Sequence, residues 1–413
     1  MSRTISIGFV GSGFNAQFHL RSMVGVREAD VRGIWSPNHQ NALKAAMLAR
    51  TLDVGDATAY RSLEAMVLDP AIEAIWLCGA NHARIENVET IVRVARERRV
   101  PLLGIACEKP LARNVAEAIK VAKLVRSAGI PTGYLENQLF APHVEAGRNL
   151  IWARGAATTG RPYLARAAEE HAGPHMPWFW QGALQGGGVL NDMMCHSALV
   201  VRHLLTKPGE PLSTVRPTRV TGQIASLKWS RPAYVARLKK MMGPEVDYAK
   251  APAEDFASLT IEFETNDGHT VIGEATTSWS FVGAGLRLSA ELLGPEYSMR
   301  WNSLDSGLQL FFSREVRGRA GEDLVEKQNA EQGVMPVVPE EYAAYGYTGE
   351  NRHFCRAFLG LEKALVTFDD GVEVAKILMS AYQSAEQGKT LSFPPRGIEK
   401  FVPQVARGAW KPR

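Results

Sequence analysis

Hydrophobic positions fall into two regimes along the chain. Over the first third, short unbroken apolar runs alternate with stretches of helical periodicity. Ile5-Ser6-Ile7-Gly8-Phe9-Val10 reads as a buried strand, and Gln17 to Val24 follow it as a helix. Val31-Arg32-Gly33-Ile34-Trp35, Ala74-Ile75-Trp76-Leu77-Cys78, Pro101 to Cys107 and Ile130 to Leu135 are further strands. Helical patterns cover about 83–98 and 114–128. Strands alternating with helices predict a parallel sheet that offers ligands the carboxyl ends of its strands. From about residue 138 the regime changes. A helix opens at Leu139-Phe140-Ala141-Pro142 and runs to roughly Ala153. Strand-like segments follow near 163–169, 215–228, 256–264, 270–279, 286–293 and 298–302. Thr265-Asn266-Asp267-Gly268 between two of them predicts a hairpin turn. The fold class is therefore α/β plus α+β, with a Rossmann domain over 1–137 and, over 138–413, a domain built on a large, mostly antiparallel open sheet flanked by helices.

Composition narrows this picture only a little. With 413 residues, 46% hydrophobic and 22% charged, the chain suits two soluble domains. A net charge of +4 fits an anionic cofactor or substrate, but no basic run is interleaved with aromatics, which argues against nucleic acid. Arg93, Arg96, Arg98 and Arg99 sit at helical spacing beside Glu97 and read as a solvated helix face. Cys78, Cys107, Cys195 and Cys355 form no CxxC pair, so a reducing compartment is expected. No apolar run reaches membrane-spanning length, and the N-terminus enters a strand directly. A cytoplasmic enzyme that does not bind membranes is expected.

Two stretches carry candidate chemistry. Gly11-Ser12-Gly13-Phe14-Asn15-Ala16 is G-x-G-x-x-A between strand and helix. Gly11 permits the tight turn, Gly13 lets a pyrophosphate approach the backbone, Ala16 allows close helix–strand packing, and the helix N-terminus faces the phosphates. Phe14 and Asn15 lie inside this dinucleotide cradle. At the end of the second strand, where an acidic residue usually holds the ribose of NAD, stands Ser36, followed by Pro37 and Asn38. With neither a carboxylate nor an arginine there, the cofactor is NAD or NADP. Asn81, His82, Glu108 and Lys109 stand at later strand ends and join the cofactor-binding set. The second stretch is Gly186-Gly187-Gly188 followed by Asp192 and His196, four residues apart and so on one helix face. A carboxylate beside an imidazole can be an acid/base unit, or a buried histidine satisfied by its neighbour.

Together, Gly11-x-Gly13-x-x-Ala16, Glu108-Lys109-Pro110 and the Gly-Gly-Gly…Asp192-x-x-x-His196 block resemble the glucose–fructose oxidoreductase / inositol dehydrogenase / MocA (Gfo/Idh/MocA) family. The resemblance spans essentially the whole chain, including Ala381-Tyr382-Gln383-Ser384-Ala385-Glu386-Gln387-Gly388. It implies that Lys109 lies at the nicotinamide–substrate junction, with Asp192 and His196 as partners and His196 as acid/base on the reacting hydroxyl. It also implies a homodimer or homotetramer, with one face of the second sheet as the oligomer interface. One departure is Gly79-Ala80-Asn81-His82-Ala83-Arg84, with Arg84 where the family usually has histidine.

The segment 169–180, with Glu169, Glu170, His171, His175, Trp178 and Trp180, reads as a substrate-pocket loop, since aromatic faces and polar groups suit sugars; the spacing fits no metal template. Asn137, His171, His175, Trp178 and Trp180, with Asp192 and His196, form the expected substrate set, and no metal is expected. The basic segment 229–255, with Arg231, Arg237, Lys239, Lys240 and Lys250, is a lid, a dimer arm or a surface loop. Three functions follow. The first is an NAD(P)-dependent oxidoreductase acting on a secondary hydroxyl of a sugar, sugar derivative or cyclic polyol. The second is an NAD-dependent, redox-neutral glycosidase. The third is a non-catalytic dinucleotide sensor.

Overall fold

The computed structural model describes residues 3–305, 307–316 and 323–412. Contacts divide the chain into two compact units: Met1–Ala141 with Tyr345–Ala375, and Pro142–Ala344 with Lys376–Arg413. The boundary expected at 137/138 cuts the chain once. The contacts instead return Tyr345–Ala375 to the first unit, because the Tyr347–Phe358 helix packs on the helix that follows the first strand.

In the first unit six strands form one parallel sheet, in the order β3-β2-β1-β4-β5-β6. They are β1 (Ile5–Val10), β2 (Ala29–Trp35), β3 (Thr58–Ala59), β4 (Ala74–Leu77), β5 (Gly104–Glu108) and β6 (Thr132–Leu135). The connections are α1 (Phe14–Ser22), α2 (His39–Thr51), α3 (Leu63–Leu68), α4 (Arg84–Ala95) and α5 (Val115–Ser127). β4 and β5 are buried at every position, as continuous apolar strands of a sheet covered on both faces must be. The strand order reverses between β1 and β4, and a sheet of this kind binds ligands at that switch point. Polar side chains start the helices. Ser62 caps α3 through Ala65 N, and Asn114 caps α5 through Glu117 N. Each expected strand of this unit corresponds to an observed one, and the strand expected from Pro101 begins later, at Gly104.

The second unit carries a seven-stranded sheet in the order β12-β11-β7-β10-β9-β8-β15. Its strands are β7 (Leu164–Glu170), β8 (Val215–Ala225), β9 (Phe256–Thr265), β10 (Thr270–Ser278), β11 (Arg287–Gly294), β12 (Tyr297–Asn302) and β15 (Leu391–Ser392). All neighbours are antiparallel except β7 and β10. A small hairpin joins β13 (Gln309–Phe312) to β14 (Gly333–Pro336). The expected turn at 265–268 forms, with Gly268 at φ 81° and its N–H donating to Thr265 O at 2.9 Å. Period-two alternation sorts the two faces: Leu288, Ala290 and Leu292 of β11 are buried, while Ser289 and Glu291 are half-buried on the other face. The Val189–Leu205 helix covers the apolar face, and all seventeen of its residues are buried. At Gly273 that helix comes so close that a Cβ would stand 2.7 Å from Val201 Cγ2. The opposite face is a shallow open basin lined by Arg166, Glu274, Arg287, Glu291 and Arg300.

The basic 229–255 segment folds as a helix over Pro232–Met242, and Lys239 pairs with Asp247 at 2.9 Å. Residues 306 and 317–322 lie outside the described residues.

Candidate functional site

Candidate site residues occur in both units. In the first, β1 ends at Val10 and the chain turns at Gly11, where φ is 111° and a Cβ would stand 2.8 Å from Cys78 O. Only glycine fits there. Gly13 precedes α1 in ordinary extended geometry, and a Cβ on it would meet nothing within 4 Å. Among the described residues no side chain caps α1 at Gly13, and the positive end of a helix of this kind suits an anion. Ala16 is fully buried against the sheet, Asn15 is half-buried, and Phe14 is exposed with its ring 5.2 Å from that of Phe18. Beyond β2, Ser36 Oγ accepts from Ser12 Oγ at 2.9 Å, which ties the ribose end of the cradle to its phosphate turn. These residues fit a dinucleotide: an uncapped helix end, open space above Gly13, and no carboxylate at the end of β2. Asn38, expected at the cofactor, accepts at Oδ1 from Gln40 N and Asn41 N and caps α2, because a short amide reaches the helix's own orphan donors.

Arg84, the departure from the family pattern, organises the strand ends. Its guanidinium is buried and donates to Gly79 O (2.8 Å), Pro110 O (2.6 Å), Glu108 O, Cys107 Sγ (3.2 Å) and Asn81 Oδ1 (3.4 Å). One planar fork thus holds the loops after β4 and β5 together. Asn81 is buried in this network, and His82 beside it is exposed. Partial desolvation of its ring, and secondarily the Arg113 charge, still lower His82 from the usual histidine value. Glu108 is buried, and its carboxylate is committed to protein partners: Oε1 lies 2.8 Å from His19 Nε2, and Oε2 accepts from Lys109 N at 3.1 Å. Asn351 Oδ1 accepts from Trp76 Nε1 at 2.7 Å and lies 3.1 Å from His19 Nδ1. Lys109 is half-buried and begins the Lys109–Pro110 peptide, which is cis. Asn137, expected at the substrate, donates instead to Tyr345 O at 2.7 Å within the same unit.

In the second unit the glycine block opens the Val189–Leu205 helix. Gly187 has φ 158°; a Cβ on it would stand 2.0 Å from Tyr382 Oη, and one on Gly188 would stand 2.5 Å from Glu254 O. Buried Glu254 fills the helix start. Its Oε1 accepts from Gly188 N (2.9 Å), Leu190 N (3.1 Å) and the Tyr382 hydroxyl (2.5 Å). Burial pushes its carboxyl up to about 7, against the pull of these hydrogen bonds. At the other helix end, the buried Arg148 guanidinium donates to His203 O at 2.7 Å and to Thr206 O. Both placements match the helix dipole.

Asp192 and His196 lie one turn apart on this helix, both buried. Trp279 Nε1 donates to Asp192 Oδ2 at 3.3 Å, and His196 Nε2 is 3.6 Å from Glu169 Oε2. An imidazole beside a buried carboxylate can take a proton from a hydroxyl and keep the resulting charge balanced.

The aromatic loop divides. Trp180 is core, which corrects its placement in the substrate set. It is 2% exposed, packs on Trp229, Tyr248 and Trp279 at ring distances of 5.1–5.8 Å, and donates its N–H to Pro174 O. His171 is buried, and its Nδ1 accepts from Gly173 N at 2.9 Å. Trp178 is half-buried and stacked on Phe179, and His175 is exposed. Glu170 pairs with Arg287. Sequence reasoning missed Glu169 as the partner of His196. It also missed Trp279, Glu254 and Tyr382. Glu169 was accessible from the alternation of β7, where buried Ala165 and Ala167 place 169 on the same face.

Two family models match the chain: "Oxidoreductase family, NAD-binding Rossmann fold" over residues 5–133 and "GFO/IDH/MocA C-terminal domain" over 155–300. A D-xylose dehydrogenase of Paenarthrobacter nicotinovorans is 25% identical over 225 residues, covering 53% of this chain and 50% of that protein. A 1,5-anhydro-D-fructose reductase of Ensifer adhaerens is 29% identical, covering 37% of this chain and 43% of that protein. The chain thus spans half or less of these two curated relatives. A levoglucosan dehydrogenase of Pseudarthrobacter phenanthrenivorans matches at 24% over 95% of this chain and 99% of its own. Among solved structures, GenD2 from gentamicin A biosynthesis in complex with NAD superposes with a TM-score of 0.75 at 21% identity, covering 95% of this chain and 97% of its own. At that identity the likeness shows the fold. On the two matching domain models, the chain belongs to the Gfo/Idh/MocA oxidoreductase family, with an NAD-binding Rossmann domain at its N-terminus.

Proposed function

We propose that the protein is an NAD(P)-dependent dehydrogenase acting on a secondary hydroxyl of a sugar, a sugar derivative or a cyclic polyol. The observation that carries this reading is the buried Asp192/His196 pair, with Glu169 against the imidazole and Trp279 holding the aspartate, in a chain whose other unit is an NAD-binding domain. The dinucleotide, when bound, supplies the hydride acceptor. His196 takes the hydroxyl proton, and Glu169 stabilises the imidazolium that forms. Asp192 holds the polar edge of the site in a fixed orientation. Lys109 serves the same reaction by binding or relaying the hydroxyl proton. In the same reading Gly11, Gly13, Phe14, Asn15, Ala16, Ser36, Asn81 and His82 bind the dinucleotide, and Trp178 with His175 bind the substrate. With Ser36 where an acidic residue would repel a 2′-phosphate, the reading takes NAD or NADP. A homodimer or homotetramer formed through the open sheet face, in the cytoplasm, belongs to the same proposal. Its support is the uncovered polar face around Arg166, Glu274 and Glu291.

The deciding experiment follows reduced-nicotinamide absorbance with NAD or NADP against D-xylose, levoglucosan, myo-inositol and uronates. A steady rise with one class supports the reading and selects the cofactor. A flat trace with aglycone released from glycosides, at no net reduction, overturns it in favour of the redox-neutral glycosidase. Light scattering on the eluting protein gives the subunit number.

A further inference from the structure

The reacting pair sits on a helix whose start is set by residues far away in sequence. Glu254 reaches Gly188 N and Leu190 N with one carboxylate oxygen, and its own carbonyl accepts from Val189 N at 3.1 Å. Tyr382 adds its hydroxyl as acceptor for Gly188 N (3.0 Å) and Asn191 N (3.3 Å), while donating to Glu254. Four successive amides, Gly188 to Asn191, are therefore held by two side chains and one carbonyl. The glycines at 187 and 188 are what let those groups come this close. The next residue fixes the other side of the pair. The Asp255 carboxylate accepts from Leu227 N (2.6 Å), Lys228 N (2.9 Å) and Trp229 N (2.8 Å). Trp229 Nε1 then donates to Trp279 O (2.9 Å), and Trp279 N donates to Asp255 O (2.8 Å). Trp279 is the residue whose indole N–H holds Asp192.

We propose that Glu254, Asp255 and Tyr382 are positioning residues for the Asp192/His196 pair: Glu254 and Tyr382 fix the axial start of its helix, and Asp255 fixes the indole that orients Asp192. None of the three is assigned contact with substrate or cofactor. Their effect is on where the acid/base atoms stand, and a displacement of about 1 Å at a reacting centre costs on the order of 10²-fold in rate. The inference rests on the dehydrogenase reading for its kinetic consequence, but its structural half stands without it.

The test uses Tyr382→Phe, Glu254→Gln and Glu254→Ala in the full chain. Two readouts are taken: hydrogen exchange of peptides spanning 186–196 in the free protein, and NAD- or NADP-dependent oxidation of D-xylose, levoglucosan or myo-inositol. Tyr382→Phe is expected to speed exchange at Gly188 and Asn191 and to lower kcat about tenfold, leaving KM and cofactor affinity unchanged. Glu254→Ala is expected to fall further, toward the 10²-fold limit. Glu254→Gln keeps an acceptor oxygen and recovers part of the loss. Unchanged exchange in Tyr382→Phe overturns the proposal, as does faster exchange with kcat intact, or KM and cofactor affinity weakening in step with kcat. Should Glu254→Ala fail to fold, Tyr382→Phe decides alone. A wild-type protein that oxidises none of the sugars overturns the dehydrogenase reading instead, and the exchange readout then decides the role of the cap.

Discussion

The molecule contains two glycine-rich turns that lead into helices, and they are used in opposite ways. At Gly11-Ser12-Gly13 the helix start has no side-chain cap, and the space above Gly13 is open. At Gly186-Gly187-Gly188 the helix start is filled by the protein's own carboxylate and phenol. Glycine does the same steric work in both, letting something approach a backbone. In the first the space at Gly13 is open, as the proposed dinucleotide site requires, and in the second the approaching groups are Glu254 and Tyr382. The difference teaches that a glycine-rich turn before a helix marks close approach, not ligand binding. What faces the turn decides which it is.

The open and the filled turn should respond to substitution in opposite ways. If the filled turn supports chemistry and the open one supports binding, His196→Ala should lower turnover by about 10³-fold, within the range of general acid–base catalysis, while cofactor affinity measured by fluorescence titration stays put. Gly13→Val should do the reverse. Its backbone is extended and its Cβ direction is open, so the melting temperature of the free protein should hold. Dinucleotide affinity should drop tenfold or more, about 1.4 kcal/mol, because the side chain occupies the phosphate space. Equal destabilisation and no affinity change would erase the distinction. Gly188→Ala should cost about 1–3 kcal/mol by urea unfolding, the usual penalty for forcing atoms into a packed site, since its Cβ collides with Glu254.

The smallest effect sharpens the filled turn. Glu254 has its carboxyl raised from 4.5 to about 7 in the folded chain. Between those values the native state holds the extra proton, so this contribution is full below pH 4.5 and is lost as pH rises through 7. Melting temperature against pH should therefore slope downward across that window. Glu254→Gln should flatten this slope, and an identical slope in the variant would contradict the assignment.

Much of the fold was legible because its signals are local. The parallel sheet follows from apolar runs such as Ala74 to Leu77, and the hairpin from Asn266-Asp267-Gly268. The placement of Asp192 and His196 one turn apart on a helix followed from spacing alone. What stayed hidden depends on contacts distant in sequence. Nothing in Ala253-Glu254-Asp255 says that the Glu254 carboxylate is a buried cap for a helix whose N-cap, Gly188, lies 66 residues earlier, or that the Asp255 carboxylate holds the amides of 227–229. Trp180 looked like a sugar platform because aromatic residues in a polar loop serve either role, and only its packing on Trp229 and Trp279 assigns it to the core. The backbone contacts of Asn38, which caps α2, and of Asn137, which donates to Tyr345 O, were likewise not announced by the sequence.

The return of Tyr345–Ala375 to the first unit has a consequence for biosynthesis. Asn351 supplies the partner for the Trp76 indole and one side of His19, and Phe354 and Phe358 lie against Gly133 and Gly104. As the chain leaves the ribosome, the nucleotide-binding half waits with these groups uncovered until residues beyond 350 emerge. At about 5–20 residues per second, that is a delay of roughly ten to fifty seconds. A gene fragment ending near residue 141 would leave that interval permanently open. Any recombinant or evolutionary exchange of the dinucleotide module must therefore carry both segments.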